Sequence, residues 1–103
     1  MVKRVNLLPV VWDRKAYQDF VWNLNEIKSD SPINAKRVKT RVNNIIKSLP
    51  NFPLKFRADE LKDINDGSFR VFNQDGFRVS YRVTKVNIQI VRVRHGSQEP
   101  ILF

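Results

Sequence analysis

Apolar and polar residues alternate most strictly in the last third of the chain. From Phe77 to Val83 every second residue is apolar, and the residues between them are arginine or serine. This period of two predicts a half-buried strand with one apolar face and one basic face. Residues 69–73 precede it across a turn that contains an Asp-Gly pair, which favours a tight hairpin. The pattern therefore predicts two antiparallel strands joined by a short turn.

A third strand is predicted at residues 87–95, but its apolar residues change parity midway. Ile88 and Ile90 share one face of an ideal strand, whereas Val91 and Val93 share the other. Either the strand is central and buried on both faces, or a bulge lies near Ile90 and Val91. We favour the central strand, because a lone hairpin is not stable and the sheet needs further partners.

The N-terminal segment, residues 5–12, is predicted to be a strand. Basic residues at positions 3 and 4 followed by this apolar segment are similar to the start of a signal peptide. However, charged residues follow the segment, and there is no small-residue cleavage site. Pro9 lies inside the segment and cannot donate to a sheet ladder. We therefore expect this strand to lie at an edge of the sheet or to begin after the proline.

Two amphipathic helices are predicted between this strand and the hairpin. Asp13 can cap the first, which should end near residues 28–30. Ser31 and Pro32 begin the second as cap and first helical residue, and Pro50 stops it. Trp22 falls away from the centre of the apolar stripe of the first helix. It either packs against the neighbouring helix or is exposed for a partner, and packing is the commoner outcome. The apolar stripes consist of Ala16, Phe20, Leu24 and Ile27 in the first helix and of Ala35, Val38, Val42, Ile45, Ile46 and Leu49 in the second.

Residues 50–60 carry two prolines and no clear period, which predicts an ordered loop. Phe52, Leu54 and Phe56 are expected to anchor it. Residues 61–64 form either a short strand or a continuation of the same loop. No repeat, low-complexity tract or linker divides the chain, so residues 1–103 are expected to form a single domain. The predicted fold class is α+β, with an N-terminal strand and a helical hairpin packed on a twisted antiparallel sheet of about four strands.

The composition adds a strong positive charge. Lys and Arg number 19 against 10 Asp and Glu, which gives a formal net charge of +9 and favours a polyanion or an acidic protein as partner. Several cations fall on the outer face of the second predicted helix, where they serve either solubility or RNA binding. These residues are Lys36, Arg37, Lys39, Arg41 and Lys47.

The same composition excludes several classes of site. There is no cysteine and a single histidine, which excludes disulfides, thiolate zinc sites, cysteine nucleophiles and histidine-rich metal clusters. We therefore expect no metal and no other cofactor. No segment is long enough to span a membrane, so we expect no membrane partner, and the lack of cysteine fits a cytoplasmic location.

The chemistry that remains is a group of cations on or near one sheet: Arg70, Arg78, Arg82, Arg92, Arg94 and His95. RNA can be cleaved without a metal when one group takes the 2′-hydroxyl proton, cations stabilise the phosphorane and an acid protonates the leaving oxygen. Arginine can stabilise the charge but does not readily exchange protons. Among these side chains only histidine is suited by type to proton transfer near neutral pH. A lone histidine at a strand end is nevertheless more often structural than catalytic.

The order of these elements and motifs resembles the RelE/ParE superfamily of bacterial toxins from type II toxin-antitoxin systems. The resemblance covers almost the whole chain and implies a small α+β fold with an antitoxin that wraps it. The helix start and exit are similar to the ParE side of the superfamily especially. The stretches that carry the resemblance are SPINAKRV at 31–38, LPNFP at 49–53, GFRVSYRV at 76–83 and VRVRHG at 91–96.

The resemblance also implies site residues. RelE-like ribosome-dependent nucleases have a basic residue where Arg70 stands and an arginine that Arg78 matches. His95 matches a C-terminal histidine of YoeB-like nucleases, which many non-nuclease ParE-like toxins also have. The chain differs from the nuclease pattern at Phe72, where a second basic residue would stand, and at Phe103, where a terminal tyrosine would stand.

Three functions are consistent with the resemblance. The first, which we expect, is ribosome-dependent mRNA cleavage, in which Arg78, Arg70 and Arg82 hold phosphate and His95 transfers protons. The second is inhibition of DNA gyrase by binding alone, as in ParE-like toxins. The third is a domain without toxicity that only sequesters an antitoxin. In each case the expected partner is an acidic antitoxin that forms a hetero-oligomer with the toxin and whose amphipathic segment covers the basic sheet.

Overall fold

The computed structural model describes residues 7–96 and 102–103. Two helices and four strands succeed one another along the chain. Their bounds are β1 Val10–Trp12, α1 Arg14–Asp30, α2 Pro32–Ser48, β2 Phe69–Gln74, β3 Phe77–Val83 and β4 Ile88–His95. β1 begins after Pro9, as predicted, whereas residues 5 and 6 of the predicted strand lie outside the described residues.

Both helices begin where the capping residues predict. The Asp13 carboxylate accepts hydrogen bonds from the main-chain amides of Lys15 and Ala16 at 3.1 and 3.4 Å. The Ser31 hydroxyl oxygen accepts one from the Asn34 amide at 3.2 Å. These bonds satisfy amides that have no partner inside the helix, and a cap of this kind is worth about 1 kcal/mol. The caps therefore fix both the start of α1 and the short turn into α2.

The four strands form one sheet in the order β1-β4-β3-β2. The α+β fold class is confirmed, but the sheet is mixed rather than antiparallel, because β1 pairs with β4 in the parallel direction. β3 pairs antiparallel with both β2 and β4. The central position predicted for the third strand of the C-terminal run is confirmed, since β4 lies between β1 and β3.

A β-bulge on β4 explains the change of parity in its sequence. Ser80 pairs with Arg92 and Tyr81 pairs with Ile90, so Val91 is an extra residue on β4. Before the bulge Ile88 and Ile90 are buried, and after it Val93 is buried. The strand is thus both central and bulged, and its buried residues lie on one face rather than on both.

The helices cover one face of the sheet and form the core with it. Phe20 of α1 stacks near Trp12 at 5.4 Å between ring centroids and meets Phe77 of β3 edge-on at 5.2 Å. Each large apolar side chain buried in this way contributes about 1.5–3 kcal/mol relative to exposure. The core residues are Ala16, Phe20, Val38, Val42, Ile46, Leu49, Phe72, Phe77, Val79, Tyr81, Ile88, Ile90 and Val93.

Two expectations about packing are wrong: the preferred one for Trp22, and the one for Phe52 and Leu54. Trp22 does not pack against the neighbouring helix, because 64% of it is exposed on the outer side of α1. Phe52 and Leu54 do not anchor the loop after α2, since they are 65% and 57% exposed. Phe56 alone of the three packs against the core, with its ring 5.3 Å from that of Phe72. Residues 61–64 form no strand and continue the loop, which is one of the two predicted alternatives.

Candidate functional site

The sheet face away from the helices carries most of the predicted catalytic arginines. Arg78 pairs with Arg94 across the strands, and the next pair along the same face is Ser80 with Arg92. Paired residues in a sheet point to the same side, so these side chains and that of Arg82 share a face. We call Arg78, Arg82, Arg92 and Arg94 the arginine face.

His95 lies on the opposite side of the sheet. It pairs with the buried core residue Phe77, and the two ring centroids are 4.3 Å apart. The bulge at Val91 causes this placement, because the extra residue exchanges the two faces of β4 after Ile90. The same exchange turns Arg92 and Arg94 away from the core. The structure therefore does not bring His95 together with Arg78.

Close packing also restricts the surroundings of His95. Gly76 has a φ of +80°, and a Cβ atom there would lie 3.1 Å from Nε2 of His95. The turn between β2 and β3 consequently requires glycine for its conformation and for the room it leaves the imidazole. The Gly96 amide donates to the Gly76 carbonyl at 2.9 Å, which ties the end of β4 to this turn.

Arg78 is held in a network of ion pairs. Its Nη2 atom lies 3.0 Å from Oδ1 of Asp59 and 2.9 Å from Oε1 of Glu60, and Nη1 donates to the Ser80 hydroxyl at 3.3 Å. The Arg78 side chain is 13% exposed and that of Asp59 is fully buried. Burial works to lower the pKa of Arg78, but the hydrogen bonds with the two carboxylates outweigh it and the pKa is raised. This guanidinium is committed to the protein's own carboxylates.

The two acids of this network come from the loop that follows Arg57. Asp59 is fixed by its amide, which donates to the Phe69 carbonyl at 2.8 Å, and its Oδ1 atom also accepts from the Leu61 amide at 3.0 Å. A backbone hydrogen bond within Glu60, assisted by side-chain bonds from Arg78 and Arg57, lowers the pKa of Glu60 from 4.5 to about 2. Glu60 is consequently ionised throughout the neutral range.

Phe103 covers another part of the arginine face. Its ring lies 4.9 Å from the Arg92 guanidinium and 6.2 Å from the Phe69 ring. Its amide donates to the Leu61 carbonyl at 2.8 Å. Burial, with the neighbouring cations Arg94 and Arg78, lowers the pKa of Arg92. The arginine face is thus densely packed with cations, and Phe103 covers part of it.

The other two predicted catalytic arginines tie loops to the sheet. Arg70 donates from Nε to the Gly67 carbonyl at 3.0 Å and from Nη1 to the Phe56 carbonyl at 3.1 Å. Arg82 donates to the Ser68 hydroxyl at 3.3 Å, and its guanidinium lies 4.9 Å above the Phe69 ring. Both side chains make contacts that hold the 56–69 segment in place.

The predicted RNA-binding residues of α2 are all exposed, but they do not form one surface. Arg41 forms an ion pair with Asp75 in the β2–β3 turn at 3.1 Å, and Arg37 adds to the positive charge around that carboxylate. Lys36 and Lys39 instead line a groove on the outer side of the helices. The five residues are Lys36, Arg37, Lys39, Arg41 and Lys47. Their role in RNA binding stays a prediction.

The groove lies between α1 and α2 and has a volume of about 400 Å³. We call it the helical groove. Its wall on α1 is mainly apolar, with Tyr17 53% exposed and Val21 37% exposed, and its wall on α2 is basic. The sequence offered a signal for this site, because Tyr17 and Val21 flank the buried stripe at helical spacing. The lining residues are Trp12, Tyr17, Phe20, Val21, Leu24, Asn25, Lys28, Pro32, Ala35, Lys36, Lys39 and Asn43.

Within residues 7–96 and 102–103, no three His, Cys, Asp or Glu side chains cluster so as to hold a metal ion. The part of the chain that the structure describes also contains no helix with the length and apolar character needed to cross a bilayer.

Comparisons with known proteins place the chain in a family. A family model described as the ParE toxin of type II toxin-antitoxin system, parDE, matches residues 10–100. The chain belongs to the ParE toxin family. A solved structure of the chromosomal ParDE system from P. aeruginosa contains a chain of the same fold, with a TM-score of 0.68 and 20% sequence identity over 86% of this chain and 96% of that one. No curated protein sequence matches.

Membership in the ParE family confirms the predicted superfamily and the toxin role. A type II toxin acts as one half of a pair, so its partner is an antitoxin protein. Neither the family nor the shared fold determines whether the toxin cleaves mRNA or binds gyrase, because a fold by itself does not fix the chemistry of a site.

Proposed function

We propose that this ParE-family toxin inhibits DNA gyrase by binding to it, without catalysing a reaction of its own. The observation that carries the proposal is the separation of Arg78 from His95. Metal-independent RNA cleavage needs a cation and a proton-transfer group at the same phosphate. Here the two side chains lie on opposite faces of the sheet, and Arg78 is occupied by Asp59 and Glu60.

The crowding of the arginine face supports the same proposal. Cations that stabilise a transition state must be available to the substrate, whereas each of Arg70, Arg78 and Arg82 donates to a group of the protein itself. Freeing Arg78 would leave the buried carboxylate of Asp59 without its partner, which is costly. A binding toxin needs no such rearrangement.

We further propose that the antitoxin contacts the helical groove through an acidic amphipathic helix. Tyr17 and Val21 present apolar surface to such a helix, and Lys28, Lys36 and Lys39 can pair with its carboxylates. Helices that bind in grooves use this combination of apolar anchors and charged rims. The basic sheet, which the sequence suggested as the antitoxin site, is partly covered by Glu60 and Phe103.

The proposed target is tested with the same purified protein in two assays, one for gyrase inhibition and one for mRNA cleavage. In a supercoiling assay with DNA gyrase and relaxed plasmid, we expect inhibition that increases with toxin concentration. In primer extension on a transcript under active translation, we expect no new cuts. Codon-phased cuts together with unhindered supercoiling would overturn the proposal in favour of mRNA cleavage, and neither effect would favour a domain that only sequesters the antitoxin.

A further inference from the structure

The loop that follows α2 presents two large apolar side chains to solvent. Phe52 is 65% exposed and Leu54 is 57% exposed, although both stand near apolar residues that do reach the core. We call Phe52 and Leu54 the apolar knob. Exposed apolar side chains of this size are common one at a time, but two that are separated only by Pro53 on one loop are more typical of a contact surface.

The backbone that carries the knob is fixed in place. The Phe52 amide donates to the Leu49 carbonyl and the Lys55 amide to the Phe52 carbonyl, both at 3.1 Å. On the core side of the loop, the hydroxyl of Tyr81 donates to the Pro53 carbonyl at 2.9 Å. Tyr81 is completely buried in the core, and this burial raises its pKa to about 12, so the hydroxyl keeps its proton. The knob is therefore held outward by an ordered loop, and a partner that binds it has little ordering entropy to overcome.

The charge around the knob is positive. No aspartate or glutamate occurs between Asp30 and Asp59, and Lys47, Lys55 and Arg57 lie close to the knob in the sequence. All three are exposed. Of the two acids that follow, Asp59 is buried and Glu60 is paired with Arg57 and Arg78. A partner surface for this loop should therefore be acidic.

The shape of the knob distinguishes its partner from the antitoxin. An antitoxin helix needs a concave surface, which the helical groove supplies. A projecting pair of apolar side chains instead needs a pocket on a folded protein, where a buried aromatic residue can act as an anchor. The groove follows α2 from Pro32 to Asn43, and the knob comes after the C-terminal end of this helix at Ser48, which lies about 7.5 Å beyond Asn43 along the helix axis.

We propose that the apolar knob enters an apolar pocket with an acidic rim on DNA gyrase and is the main anchor of the toxin on its target. This inference rests on the proposed function, because it names the contact by which the toxin would hold gyrase. It assigns gyrase and the antitoxin to different surfaces of the molecule. A toxin bound through the knob would leave the helical groove open.

The test compares the double variant Phe52→Gln, Leu54→Gln with a matched control, Ile64→Gln. Ile64 is 83% exposed and also lies in the segment between α2 and β2, so the control makes one substitution of the same kind outside the knob. Binding of each protein to purified gyrase and to the purified product of the partner antitoxin gene is measured by titration. Thermal unfolding serves to compare stability, which should change little at exposed positions.

We expect the knob variant to bind gyrase at least about tenfold more weakly than wild type, as for the loss of an interface anchor. Its affinity for the antitoxin should be unchanged, and the control should match wild type in both titrations. Equal gyrase binding by the knob variant and wild type would overturn the knob assignment while leaving gyrase as the target. Loss of antitoxin binding in the knob variant would overturn it in another way, by placing the knob in the antitoxin interface.

Two further results would also overturn the inference. If wild type neither binds gyrase nor inhibits supercoiling, the proposed function fails and the knob assignment fails with it. If wild type binds phosphatidylglycerol vesicles, and the knob variant loses that binding but keeps its gyrase affinity, the knob is a membrane contact.

Discussion

Arg78 illustrates how a residue that the sequence suggests as catalytic can be held by ion pairs within the fold. It stands in a motif that matches nuclease toxins, on the polar side of an alternating strand. In the structure its guanidinium meets the buried Asp59 and the exposed Glu60. The ion pair with Asp59 matters more for stability than the pair with Glu60, because Asp59 is buried. Removing one member of a buried pair leaves an uncompensated charge, whereas an exposed pair contributes little.

We predict that Arg78→Ala lowers the free energy of unfolding by about 3 kcal/mol, because it leaves the Asp59 carboxylate buried and unpaired. Urea denaturation measures the change. Arg82→Ala is the matched control on the same face and should cost about 1 kcal/mol or less, since Arg82 pairs with no carboxylate at hydrogen-bond distance among the described residues.

If Arg78→Ala does not fold, the double variant Arg78→Met, Asp59→Leu keeps the prediction testable. Replacing both partners with apolar groups removes the unpaired charge of Asp59 and should restore a cooperative unfolding transition in urea. Unfolding of Arg78→Ala at the same urea concentration as wild type would contradict a structural role for Arg78.

Glu60 should make stability depend on acid pH. Its pKa is lowered from 4.5 to about 2 in the folded protein by its backbone hydrogen bond and by contacts with Arg78 and Arg57. The folded state therefore binds this proton less readily than the unfolded chain, so the stabilisation is present above pH 4.5 and is lost as the pH falls towards 2. Glu60→Gln should show a shallower loss of stability across this window, and identical pH profiles for the two proteins would contradict the lowered pKa.

At the residue scale the sequence shows which kinds of side chain a site contains, but not which side chains contact one another. The alternation from Phe77 to Val83 correctly separated Arg78 from the core. Asp59 could not be recognised as its partner, because the two residues are 19 positions apart and are brought together by an irregular loop. His95 was equally hard to place, since one extra residue at Val91 reverses the face on which it lies.

Among the elements, the helices were the most predictable. Asp13, Ser31 and Pro32 mark their starts by local hydrogen bonding and backbone geometry, which depend on a few adjacent residues. The parallel direction of β1 was not predicted, because its pairing with β4 joins segments that are distant in the chain. The helical groove depends on how α1 and α2 lie beside one another, and periodicity alone does not fix that.

The helical groove leads to a prediction about the antitoxin. Lys36→Gln with Lys39→Gln removes two positive charges from its rim, and we expect weaker antitoxin binding with a smaller dependence on salt. Lys47→Gln with Lys85→Gln removes the same charge from exposed positions that do not line the groove, and serves as the control. Titration at low and moderate salt measures both effects, and equal behaviour of the two double variants would show that overall charge rather than the groove is responsible.

For the whole molecule, the charge of +9 and the arrangement of surfaces fit a protein that works by association. A large net positive charge speeds encounters with acidic partners over distances longer than any single contact. The composition revealed this property directly. The arginine face and the helical groove could not be read from composition, because each combines residues from separate segments. The apolar knob lies on one loop, but composition does not show that its side chains are exposed.

The claim that the toxin has no catalytic step is tested most directly by His95→Gln in growing cells. Wild type and the variant are induced to equal soluble levels, growth is followed, and translated transcripts are mapped by primer extension. We predict equal growth inhibition and intact transcripts for both proteins, because a toxin that acts by binding needs no proton transfer. Glutamine keeps hydrogen bonding but cannot transfer the proton, so the variant removes only the chemical step. Codon-phased cuts in cells with wild type, and their loss together with toxicity in a folded His95→Gln protein, would contradict the account.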